Sequence, residues 1–127
     1  MRPPGPTLFD APFRTVDRLD EGVVGVVGMP TDWTHSSRIG AREGPAALRQ
    51  ATTELCRTQL DALGETVIDP GDRRPFRRAD RGTIVDCGDA PIDASSVERT
   101  TEAIAAMTEA VRARGAIPLA LGGDHYN

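Results

Sequence analysis

The chain has 127 residues, with 19 acidic and 15 basic side chains and a formal net charge of −4. Every basic side chain is arginine, so chemistry that needs a lysine, as a Schiff base or a P-loop cation, is excluded. The acidic balance speaks against a nucleic-acid partner, and no apolar run approaches the ~18 residues that cross a bilayer.

Residues 1–21 read as an arm. Leu8, Phe9, Phe13 and Val16 are spaced irregularly among prolines and charges, a pattern that packs on something else, an oligomer contact being one role open to it. The proline-rich start, Met1 to Pro6, has no apolar signal core, and a cytoplasmic protein is expected. Cys56 and Cys87 lack Cys-x-x-Cys spacing and read as two reduced, partly buried thiols.

Residues 22–127 read as one α/β domain. Gly22 to Gly28 (GVVGVVG) is a β-branched run without polar alternation, the mark of a strand covered on both faces. Its glycines fall inside the strand and do not form the G-x-G-x-x-G turn, so dinucleotide binding fits poorly. Met29 to Glu43 forms a long polar loop that gathers Asp32, His35 and Arg38 beside glycines, a composition suited to contacting a substrate. The structural alternative is a solvated connection whose arginines make surface ion pairs of little worth.

Gly44 and Pro45 introduce a helix, with Leu48, Ala51 and Leu55 at helical spacing on its expected buried face. From Glu65 to Gly82 the pattern is poor apart from Thr66 to Ile68, and an arginine-rich surface excursion with one edge strand is expected. Thr83 to Cys87 reads as the second strand, broken by Gly88, Asp89, Ala90 and Pro91, with Asp89 favoured as a turn or cap residue. Ser95 and Glu98 form a possible capping box, and Val97, Thr101, Ile104, Thr108 and Val111 mark one face of a helix ended by Gly115. Ala116 to Leu121 is the third strand.

Strand, helix, strand, helix, strand implies right-handed crossovers and a parallel sheet in a three-layer α/β/α arrangement. Parallel strands share a direction, so the loops opened by Met29, Gly88 and Gly122 should emerge at one carboxyl-end edge, where ligands gather in such folds. The last of these loops carries Asp124 and His125. An imidazole at a strand end beside a carboxylate suits a divalent metal, although a histidine merely hydrogen-bonded in a loop would look the same.

The segments GVVGMPTD, SRIGAREGPAALR, VDCGDAP, the helix before Gly115 and IPLALGGDH, in that order, resemble the N-terminal half of the ureohydrolase family, the arginase and agmatinase group. Residues from Thr34 to Arg38 look closer to the agmatinase branch. The resemblance implies a three-layer α/β/α sandwich, here truncated, and a small guanidino substrate hydrolysed to an amine and urea. It implies that His125 is a ligand of one of two manganese ions, with Asp124 just behind it. Such an ion pair makes a hydroxide from water near neutral pH. It further implies a homo-oligomer, trimeric or hexameric.

Two departures accompany it. Tyr126 stands where many members have serine, and the DAHxD and DxDxxDP segments that bring the remaining metal ligands do not occur in the chain. One ligand does not hold a bridged pair of ions, so the expectation is an N-terminal portion, inactive alone, of an active parent. The contrasting expectation is a complete non-catalytic α/β module that binds a small anionic ligand or a protein through the loop from Asp32 to Arg42.

Overall fold

The computed structural model describes residues 5–34, 39–60, 66–68, 71, 75–77 and 83–125. Its elements in chain order are β1 (Val24–Met29), α1 (Gly44–Leu55, continued by a π-helical turn over Cys56–Leu60), β2 (Thr66–Ile68), β3 (Pro75–Arg77), β4 (Ile84–Asp89), α2 (Val97–Ala113) and β5 (Ile117–Gly122). Strands β4, β1 and β5 form a parallel sheet in that order, with β1 in the centre. The three apolar runs expected as strands are these three. The segment expected to hold one edge strand instead holds the antiparallel pair β2 and β3, apart from the main sheet.

Alternation along β1 assigns the two faces. Val27 packs with Val85, Cys87, Ala116 and Val111 of α2, whereas Val26 packs with Leu8 and Leu121 on the opposite side. Asp86 pairs in register with Val26 and is bound by Arg49 of α1, which puts α1 on the Val26 face. Helices therefore cover both faces, giving the three layers that the sequence implies. Val26, Val27 and Val85 are almost fully buried, and each contributes about 1.5–3 kcal/mol by leaving water.

Two helix faces differ from the sequence-based expectation. On α1 the buried stripe is Pro45, Arg49 and Thr53, while Leu48 and Leu55 are exposed. The reason is chemical: the sheet presents the Asp86 carboxylate to this helix and the N-terminal segment presents the Thr7 carbonyl, so a guanidinium and a hydroxyl are what that face must supply. On α2 the inward residues are Thr100, Ile104, Met107 and Val111, not Val97 and Thr101. Thr100 Oγ1 accepts the Asp93 N–H at 2.8 Å, a bond that Thr101 could not reach from the next position. Nor is Ser95 the helix cap. Its N–H and hydroxyl both donate to Asp93 Oδ1, and Ser96 accepts the Arg99 N–H instead.

The described part of the N-terminal segment lies along β4 of its own chain. The Asp86 N–H donates to the Pro12 carbonyl and the Arg14 N–H to the Asp86 carbonyl, so the segment occupies the β4 side that β1 leaves open. Leu8 then enters the core beside Val26. The other edge is less covered: Ile117 and Leu119 of β5 are exposed.

Candidate functional site

The sheet order fixes where a site can form. From β1 the chain crosses to β4 on one side, then returns over β1 on the opposite face to reach β5 on the other. The direction reverses between β1 and β5, and the crevice beyond their carboxyl ends is where ligands bind in doubly wound sheets. Met29 pairs with Gly122 at this end of the sheet, so the loops after them begin side by side, as the parallel arrangement predicts.

The two strand ends touch through backbone. A Cβ on Gly123 would lie 2.1 Å from the Thr31 carbonyl oxygen and 2.9 Å from the Thr31 nitrogen, so only glycine permits the approach. Thr31 is itself buried, and its N–H donates to the Met29 carbonyl at 2.8 Å. Across this contact the Thr31 hydroxyl donates to Asp124 Oδ1 at 2.9 Å, and the Thr34 N–H donates to Asp124 Oδ2. Both Asp124 oxygens thus hold the segment after β1. Asp32 closes the same loop farther along, its Oδ2 accepting the Gly40 N–H at 2.7 Å.

His125 follows directly, and its side chain is exposed on the carboxyl-end rim. Of the residues predicted for substrate and metal, the structure brings Asp32, Asp124 and His125 to one edge. His35 and Arg38 lie outside the described residues, as does Tyr126. The residues at this rim that sequence reasoning missed are Thr31 and Thr34. Their contacts with Asp124 span most of the chain, and no local pattern announces them.

A metal ion needs several donors. Among the described residues no three His, Cys, Asp or Glu side chains converge as a metal site, and His125 offers a single imidazole. Among the described residues His125 is a single possible donor, and no complete site is present.

A second polar cluster stands at the end of β4. Arg49, buried in α1, donates from Nε and Nη2 to the two oxygens of Asp86 at 2.9 and 3.1 Å, from Nη2 to the Gly88 carbonyl, and from Nη1 to Asp89 Oδ1 at 2.5 Å. Burial alone would lower the Arg49 pKa, but the hydrogen bonds to Asp86 and Asp89 outweigh it and hold the guanidinium above its ordinary value. Asp86 also accepts the N–H groups of Leu8 and Gly88. Asp89, favoured from the sequence as a turn or cap residue, is instead a partner of Arg49. The bulge that places it there puts Gly88 at φ +81°, a conformation that favours glycine. A cavity of about 310 Å³ lies above this cluster, lined by Thr7, Phe13, Arg49, Gln50 and Asp89. Its charges already satisfy one another, and it lies at β4, away from the crevice between β1 and β5.

Comparison with known proteins adds the following. A profile of the arginase family matches residues 23–127. The chain is 34% identical over 120 residues to an agmatinase of Serratia proteamaculans, covering 93% of this chain and 35% of that protein. It is 34% identical over 103 residues to an agmatinase of Edwardsiella ictaluri, covering 80% and 30%. Among solved structures it resembles the proclavaminate amidino hydrolase of Streptomyces clavuligerus, with a TM-score of 0.70 and 26% identity over 94% of this chain and 35% of that one. It also resembles a hypothetical agmatinase from Burkholderia thailandensis, with a TM-score of 0.64 and 31% identity over 84% and 30%. The chain spans about a third of the length of the relatives it matches.

Proposed function

The chain belongs to the arginase family, and from that premise we propose that it is the amino-terminal part of a manganese-dependent ureohydrolase of agmatinase type, which hydrolyses a small guanidino compound to an amine and urea. The observation that carries the reading is the position of His125, exposed on the rim where β1 and β5 end and set beside the polar loop after β1. Agmatinases recur among the relatives, and a chain of net charge −4 suits a cationic substrate. His125 is one metal ligand in this reading, Asp124 stands behind it, and Asp32, His35 and Arg38 face the substrate. The other donors come from polypeptide beyond these residues, so the 127-residue chain alone is inactive. The parent is a cytoplasmic homo-oligomer, trimeric or hexameric, without nucleic-acid or membrane partners.

The test compares two polypeptides. One carries this segment followed by the rest of the family domain; the other is the 127-residue chain. With manganese supplied, the longer should release urea from agmatine and the shorter should not exceed a metal-only blank. His125→Ala in the longer polypeptide should lower its bound manganese. Absence of urea from every guanidino compound tried on the metal-loaded long form, or unchanged metal content in the His125 variant, refutes the reading.

A further inference from the structure

Taking the ureohydrolase reading as its basis, we propose that Asp124 is a positioning residue for the substrate loop: through Thr31 and Thr34 it registers the segment after β1 against the strand end that bears His125.

The geometry uses both carboxylate oxygens. Oδ1 accepts from the Thr31 hydroxyl and Oδ2 from the Thr34 N–H, so two donors are met by two acceptor atoms. An asparagine would replace two charge-assisted bonds by neutral ones, its NH2 reaching the Thr31 hydroxyl only if that hydroxyl turns from donor to acceptor. Thr31 cannot drift to compensate, because it is buried, its N–H is bound to Met29, and its carbonyl lies against Gly123. The loop is therefore fixed at its entry by the residue next to His125 and at its exit by the bond from Gly40 to Asp32. Just after that exit, Gly44 at the start of α1 sits against the Gly122 carbonyl, where a Cβ would be 3.2 Å away. The loop thus meets the end of β5 at both of its own ends. A loop already ordered in this way loses less conformational freedom when a substrate binds to it, so loosening the tether weakens substrate binding.

The experiment uses the full-length protein, with agmatine as substrate and manganese as metal, and three variants: Thr31→Val, Thr31→Ser and Asp124→Asn. Thr31→Val keeps the shape of the side chain and removes the donor; Thr31→Ser keeps the donor. Thr31→Val should raise KM about tenfold while kcat stays within about twofold and bound manganese is unchanged, the pattern of lost uniform binding; Asp124→Asn should raise KM as well. Thr31→Ser should restore the KM. Hydrogen exchange of the peptide covering residues 30–43 should accelerate in Thr31→Val and Asp124→Asn and not in Thr31→Ser, a readout that needs no turnover. Loss of manganese from Thr31→Val with an unchanged KM, or unchanged exchange in Thr31→Val, overturns the inference whatever the wild-type activity. A wild-type protein that releases no urea while the exchange pattern holds fails the ureohydrolase reading and leaves the tether standing.

Discussion

A Cβ built on Gly28 would lie 1.8 Å from Oδ1 of Asp89, the same oxygen that accepts from Arg49 Nη1. The glycine at this point of β1 thus makes room for an ion pair arriving from the neighbouring strand and the covering helix. Gly28→Ala should push Asp89 off Arg49 and cost about 1–3 kcal/mol, as overpacking of an ordered site does. If the collision with Asp89 is the cause, Asp89→Ala in the same background should recover part of the loss, read from urea unfolding of both single variants and the double. Strict additivity of the two substitutions would show that the glycine serves another purpose.

Arg49 and Asp86 form the buried part of the same network, with side chains 8% and 1% exposed. Removing one partner strands the other charge away from water, so Arg49→Met or Asp86→Leu alone should destabilise by about 3–5 kcal/mol. Asp86 also accepts from Leu8 and Gly88, so its loss should be the larger of the two and should free the N-terminal segment from β4. Thermal unfolding of both variants gives the ranking, and proteolysis near Leu8 in the Asp86 variant tests the release. Variants that unfold within 1 kcal/mol of wild type, about a single exposed ion pair, would remove the network from the account of stability.

These residues mark the boundary of what the sequence disclosed. Strands were legible because the runs 22–28, 83–87 and 116–121 are apolar enough to be buried, and parallel pairing followed from the helices between them. Convergence of the loops after Met29, Gly88 and Gly122 then needed only the common strand direction. The face of α1 was not legible, because its buried stripe is Pro45, Arg49 and Thr53 rather than leucines. A signal did exist: Asp86 sits in the middle of an apolar strand, and a buried carboxylate demands a cation from whatever covers it. At the rim, His125 and Asp124 stood out from glycine-rich local context, whereas Thr31 and Thr34 gain their roles only from folding.

Asp93 organises the start of α2. Its carboxyl is held well below the usual carboxylate range, first by the hydrogen bond from Arg99, then by the Ser95 hydroxyl and N–H. A depressed folded-state pKa adds stability above the unfolded value near ~3.9 that is lost as pH falls through the folded one. Acid should therefore loosen this end of α2 only well below the ordinary carboxylate range. The pair is exposed, so the effect should shrink with salt. Carboxyl chemical shifts of Asp93 followed by NMR would show it, and a midpoint at or above 3.8, the ordinary value, would dismiss the arrangement. Asp93→Asn should abolish that acid-dependent part.

Cys87 shows the opposite sign. It lies in the core between Val85 and the α2 face, and burial pushes its thiol up from 9.0 to about 11, with the Asp86 charge adding to the rise and Arg49 opposing it. That rise means an about 100-fold smaller thiolate fraction at any pH below both values. The thiolate is the reactive form, so iodoacetamide should modify Cys87 in the folded protein at least about 100-fold more slowly than in urea-unfolded chain, before steric protection is counted. A folded-state pKa raised above the unfolded one favours folding fully below the unfolded value, near 9.0, and the contribution is lost as pH rises through about 11. Urea midpoints measured from pH 8 to 11 should accordingly fall more steeply for wild type than for Cys87→Ala, narrowing the difference between them. Parallel curves, or alkylation of the native protein at the unfolded rate, would mean that this thiol is not shielded by the sheet and helix packed around it.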